Sequence, residues 1–193
     1  MKKKTAPSNR TIVMQVAASL FLEKGYQTTS MDEIVAVSKV SKTNIYYHFK
    51  SKEELLAAIA DQMIDRYSGM IDEIAAHNEL PVMERIGRLA ALLTEQTPNI
   101  LGGCPFLTLY VQTSHESDDV RNAIRAFFDK QTKTMETLLQ EGVDRKEIHT
   151  SLPLPQLAAL IVSTIEGSLF LQHAQQDPSL LSTTLHTLAA MLK

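Results

Sequence analysis

Within the stretch from Thr29 to Leu56, TSMDEIVAVSKVSKTNIYYHFKSKEELL, two serines each open a short helix, and their spacing dictates how those helices cross. Ser30 with Glu33 has the form of a capping box, in which the hydroxyl accepts from the N3 amide and the carboxylate reaches back to the cap amide. Ser41 supplies a second N-cap, just after Ser38 and directly ahead of KTNIYYHF. Helices separated by so few residues cross steeply, which is helix-turn-helix geometry. Ile34 and Val37 give the first helix an inward face; Ile45 and Phe49, at i and i+4, do the same for the second. Lys42, Thr43, Asn44, Tyr46, Tyr47 and His48 are left on the outside. That helix face carries donors, acceptors and aromatic rings without a carboxylate, the chemistry that meets phosphates and base edges.

The segments GYQTTSMDEI and VSKTNIYYHFKSKEELL resemble the DNA-binding domain of TetR-family transcriptional regulators over residues 8–60. The capping pair, the turn, the YYHF end and KSKEELL all fall in register. Where the family commonly has glycine in the turn, this chain has Lys39, and left-handed backbone costs a non-glycine residue about 1–2 kcal/mol. Where the family commonly has a small residue, this chain has Thr43, which is expected to alter the bases read. The resemblance implies that the helix from Ser41 enters the major groove, with Lys42, Thr43 and Tyr47 nearest base edges. Ser30, Asn44, Tyr46, His48 and Lys52 would then hold phosphates. Lys52 also stands in the first turn of the next helix, where free amides already favour an anion.

Charge is divided along the chain. Residues 1–50 carry a net +5 and the whole chain −3, so the remainder is −8. A basic head on an acidic body favours a polyanionic partner at one end only. A single cysteine excludes an internal disulfide framework and fits a reducing compartment. The basic start MKKKTAPSNR is followed by no apolar signal core. The longest apolar run, LAALIVSTIEGSLFL, holds Glu166 and lies between prolines, so it is not read as a membrane span. The expectation is a soluble, cytoplasmic protein with no membrane partner.

Prolines at helix starts and glycines at ends punctuate the chain. A basic arm over Lys2 to Pro7 precedes a first helix from Ser8 to Lys24, stopped by Gly25. The fourth helix runs from Lys52 to Ala76, with Gly69 as a place to bend. Pro81 opens the next and Pro98 closes it; Gly102 and Gly103 make a break before Pro105. Asp118 to Gln140 is a long helix ended by Gly142, and Pro153, Pro155 and Pro178 introduce the last two. No run alternates with period two. The fold expected is all-α with about nine helices: a helix-turn-helix DNA-binding domain over 1–51, then an effector-binding and dimerisation domain over 52–193.

Catalytic patterns are missing. The glycines at 102–103 lack the spacing of a phosphate loop. Glu73 and His77 lack the further carboxylates of a paired metal site, and His115-Glu116 before Ser117 reads as a loop or cap. Neither an enzyme nor a cofactor or metal is expected. The 104–111 segment, with Phe106, Leu107, Leu109, Tyr110 and Val111, is apolar nearly all round and is expected to be buried. The resemblance places such a short helix between helix four and an effector cavity lined by helices four, five, seven and eight. That nominates Met63, Tyr67, Met135 and Phe170 beside Cys104, Leu107, Tyr110 and Val111. Glu166 shares a face with Val162, Phe170 and His173; it meets a cationic ligand or an arginine, or reaches solvent at an interface edge, the plainer reading. Cys104, in GGCPF, stands at a helix start, which lowers a thiol pKa. Some family members sense electrophiles through a cysteine in such a context, although a buried filler is the simpler role.

The reading is a homodimer, paired through its last two helices, that binds palindromic double-stranded DNA and is released by a small-molecule effector. The alternatives are a helical binding protein or enzyme with a non-functional head, and a thiol-based sensor acting through Cys104.

Overall fold

Serine caps set the starts of the first four helices. Ser8, Ser30, Ser41 and Ser51 each accept a hydrogen bond from the amide three residues on. They open α1 (Asn9–Lys24), α2 (Met31–Ser38), α3 (Lys42–His48) and α4 (Lys52–Ala75). Further along, α5 (Val82–Glu95), α6 (Pro105–Gln112), α7 (Asp118–Asp144), α8 (Leu154–Gln175) and α9 (Leu180–Met191) complete the chain. The computed structural model describes residues 7–95, 103–113 and 118–192, and the described residues contain no strand. The basic arm at 2–6, Pro98, Gly102 and the 115–117 loop lie outside the described residues.

Helices α1 to α3 form the head. Phe21, Ile34, Ile45 and Phe49 are buried together with Leu55 and Leu56 from the start of α4. Lys39 caps α2 in left-handed backbone, φ 59°, so the turn is made despite the lysine. Two local expectations are corrected. Glu33 does not complete the capping box: its Oε1 receives the Lys24 ammonium at 2.6 Å. Val37, expected to face inward, is half exposed, because an eight-residue helix has room for little more than the Ile34 and Ser38 contacts.

The body is built on α7. It packs along α4, α5 and α8, and α9 closes against α8. Helix α7 continues past Gly142 to Asp144, so this glycine is no stop. A Cβ there would come 2.6 Å from Ile148 Cδ1, and the glycine instead lets the returning chain sit on the helix. The left-handed residue is Lys146, φ 60°. By length and composition α8 is apolar enough to cross a membrane, but it packs against both α7 and α9.

An ion cluster absent from the sequence reading ties the far end together. Arg85 of α5 is completely buried. Its guanidinium donates to the carbonyl of Ala75 at 2.7 Å and to Glu141 Oε1 at 2.5 Å, joining the end of α4 to α7. Arg145 shares Glu141 at 2.6 Å and donates to the Asn78 carbonyl. Glu147 accepts the Val82 amide at 2.7 Å, at the start of α5.

Candidate DNA interface and ligand cavity

On α3, Lys42, Thr43, Tyr46 and Tyr47 are exposed, Tyr47 by 74%, while Asn44 and His48 are half buried. Ile45 anchors the opposite side of the helix at zero exposure. Ser30, at the mouth of α2, is exposed beyond its capping bond. Tertiary structure adds a carboxylate that α3 itself lacks. Asp32 of α2 accepts from Lys42 Nζ at 2.8 Å, and this hydrogen bond, with the carboxylate's charge, raises the Lys42 pKa. Both partners are exposed, and exposed pairs contribute little, so a phosphate or base can displace Asp32. Asp32→Asn is expected to raise affinity for DNA of any sequence severalfold at low salt, an effect that fades as salt is added. Unchanged affinity in a filter-binding titration would place Asp32 away from the DNA.

Lys52 begins α4 as expected, but its ammonium turns inward. It donates to the carbonyls of Tyr26 and Thr29 at 2.9 and 3.0 Å and lies 4.3 Å from the Tyr26 ring centroid. Those two bonds leave one of three N–H groups for a phosphate. The Tyr26 hydroxyl donates to Glu53 at 3.2 Å, and the Tyr26 amide donates to Gln112 Oε1, at the end of α6, at 2.8 Å. The segment between α1 and α2 is therefore held by both α4 and α6. The Gln112 contact joins residues far apart in the chain, and no local pattern announces it.

Between α4, α5, α7 and α8 lies a cavity of about 30 Å³. Tyr67 and Ile71 line it from α4, Leu89 and Leu92 from α5, Gln131, Thr134 and Met135 from α7, and Val162, Ile165 and Glu166 from α8. Of these, the sequence nominated Tyr67, Met135 and Glu166 as effector-binding and placed Val162 on the Glu166 face. Met63 is half buried against the core, and Leu107 packs on the same core from α6. Tyr110 is covered by the Arg121 guanidinium, 4.1 Å from its ring centroid, rather than by the cavity. Val111, at 73% exposure, departs from the expected burial of its segment: the buried side of α6 carries Phe106, Thr108 and Leu109 instead. Phe170, 50% exposed, also lies outside the cavity. Steps of four residues drift about 40° around a helix, so a face starting at Val162 has turned about 80° by Phe170. The buried stripe follows Ile165 and Leu169 instead.

Cys104 is fully buried at the start of α6, and its thiol donates to the Glu166 carboxylate. The expected lowering of its pKa is overturned. Burial, then the Glu166 charge and hydrogen bond, push the thiol well above its ordinary range, outweighing the amides of Leu107 and Phe106. Alkylation by iodoacetamide at neutral pH is expected to be slow on native protein and fast only in denaturant. Rapid native modification would contradict this burial. Glu166 is partly buried, and its Oε2 is enclosed with no hydrogen-bond partner among the described residues, so this oxygen does not face solvent. Burial raises its pKa, and the Cys104 bond lowers it in part. Among the described residues, no group of three or more metal-ligating side chains occurs; His77 Nδ1 bonds the Glu73 carbonyl at 3.0 Å.

A basic three-helix head presenting the exposed face of α3, mounted on an acidic helical body with an internal cavity, defines a helix-turn-helix DNA-binding regulator. Residues 13–59 match the family described as "Bacterial regulatory proteins, tetR family", and residues 83–188 match "Tetracyclin repressor-like, C-terminal domain". The chain is similar to the HTH-type transcriptional repressor DhaR of Mycobacterium sp. (strain GP1), 24% identical over 160 residues that cover 83% of this chain and 80% of DhaR. It is similar to the HTH-type transcriptional repressor ComR of Escherichia coli (strain K12), 24% identical over 164 residues, 82% of this chain and 77% of ComR. A TetR transcriptional regulator from Chloroflexus aurantiacus J-10-FL, known from its crystal structure, is 29% identical with a TM-score of 0.79, over 94% of this chain and 92% of that one. This chain belongs to the TetR family of bacterial transcriptional regulators, and it acts by binding DNA through its helix-turn-helix.

Proposed function

We propose that the protein is a cytoplasmic repressor, dimeric through α8 and α9, that leaves a palindromic operator when a small molecule enters the cavity. Residues 1–51 read DNA and residues 52–193 bind effector and partner; no catalytic step is involved. The observation that carries this reading is the double hold on Tyr26. Helix α4 lines the cavity with Tyr67 and Ile71 and holds the Tyr26 carbonyl through Lys52. Helix α6 meets Glu166 at Cys104 and holds the Tyr26 amide through Gln112. A cavity of about 30 Å³ accommodates about two waters, whereas ligand pockets span about 300–1,000 Å³. Occupation therefore moves α4 relative to α7 and α8, and with it the spacing of the two reading heads. That is a population shift between DNA-competent and incompetent forms.

The test is a gel shift on the DNA upstream of the protein's own gene, with and without candidate effectors. Retarded DNA that a ligand releases supports the reading. Gln112→Ala is expected to keep DNA binding while blunting ligand release. A protein that retards no specific DNA, or whose ligand-bound form binds as well as the free one, refutes it.

A further inference from the structure

Among the described residues the cavity is lined by one carboxyl group and no cationic side chain. Among the described residues, Glu166 Oε2 is enclosed without a partner, and the cavity lining includes no lysine, arginine or histidine. The Cys104 thiol, a weak donor, satisfies part of the carboxylate but supplies no charge. A buried polar atom without a partner costs free energy, and a buried charge costs far more. The surrounding chemistry selects what would relieve that cost. Tyr67 presents an aromatic ring, and Gln131 and Thr134, one turn apart on α7, add a carboxamide and a hydroxyl to otherwise aliphatic walls. Carboxamide and hydroxyl oxygens accept further N–H groups, and an aromatic face attracts a cation. An anionic ligand would face the carboxylate with nothing to offset it.

We infer that the cavity takes a monocationic amine with a slim apolar body, its ammonium seated on Glu166 Oε2 and its chain among the Leu and Ile side chains of α4, α5 and α8. This rests on the proposed effector site and names the chemistry of its ligand. Burial raises the Glu166 pKa; an ammonium partner favours the ionised form, so the two charges meet as a matched pair. The neutral alternative, in which a protonated Glu166 donates to a ligand oxygen, is an outcome of the test below.

Three probes of one shape separate these cases: hexylammonium, hexanol and hexanoate, titrated calorimetrically into the full-length protein. The wild type is expected to bind hexylammonium at least about tenfold tighter than hexanol, with hexanoate weakest. Glu166→Gln, checked by circular dichroism, is expected to bring hexylammonium to the level of hexanol while leaving hexanol unchanged. Equal binding of the first two by the wild type, preference for hexanol or hexanoate, no binding of hexylammonium, or a preference that survives Glu166→Gln overturns the inference. Should that variant fail to fold, the wild-type order of the three probes decides. Operator DNA is then added. If hexanol alone binds and releases DNA, the cation is wrong and the effector reading stands. If hexylammonium binds through Glu166 yet DNA stays bound, the cation site stands and release through this cavity falls.

Discussion

Glu141→Ala is expected to lower the stability of the fold by about 3–5 kcal/mol, the range for breaking a buried ion pair by removing one partner. The loss comes from Arg85, which has no exposed surface and whose Nε already lacks a partner among the described residues. Without the carboxylate 2.5 Å away, its charge keeps only the Ala75 carbonyl and a 3.4 Å contact to Asn78. Glu141→Gln retains an acceptor and should lose less. The pH dependence has a definite sign. The Arg85 hydrogen bond, aided by the charges of Arg85 and Arg145 and opposed by burial, holds the Glu141 carboxyl below the usual carboxylate range. A group with a depressed folded pKa contributes stability that is fully present above its unfolded value, about 4.3 for glutamate, and is lost as pH falls through the folded value. Denaturant titrations at fixed protein concentration should show this acid limb in the wild type and its absence in Glu141→Ala. Equal stability of the two proteins would mean that the cluster is solvated and structurally idle.

The second large effect concerns the partner. Leu160→Glu is expected to convert the dimer into a folded monomer and to weaken operator binding with it. Leu160, 49% exposed, shares the outer side of α8 with Ser163, Gly167 and Leu171. A Cβ on Gly167 would meet nothing within 4 Å, so that side is open to an approaching helix. Phe170 and, on α9, Met191 extend the apolar surface, and such surfaces on soluble chains mark contact sites. A glutamate there would bury an unpaired charge in each copy of a two-fold interface, at a cost of several kcal/mol. Leu185 on α9 is different. It is half buried against the core and flanks the groove between α5 and α9, so charging it would loosen the monomer. A folded Leu160→Glu protein that still scatters light as a dimer would remove this face from the interface.

The head was largely legible because its signals are local. A serine hydroxyl reaches the amide three residues on, a proline sets its own φ, and Ile45 with Phe49 lie one turn apart; each can be judged without knowing the rest of the fold. Even there, Glu33 escaped, since its choice between the Ser30 amide and Lys24 depended on where α1 ended relative to α2. Lys52 escaped for the same reason: a helix N-terminus suggested an anion outside, and the carbonyls of Tyr26 and Thr29 happened to lie closer.

By itself, then, the sequence determined the helix starts, the all-α class, the DNA-reading head and the uneven distribution of charge, all of which follow from contacts within a turn or two or from simple sums. Tertiary structure decided the rest: that Glu166 turns its Oε2 into the interior, that Cys104 is held up rather than activated, that Arg85 is buried on Glu141, and that Phe170 turns outward. The pKa and partner of a side chain depend on desolvation and on charges within a few ångströms. In this protein those neighbours lie far apart in the chain, Arg85 and Glu141 by 56 positions, and only the packing of the helices brings them together.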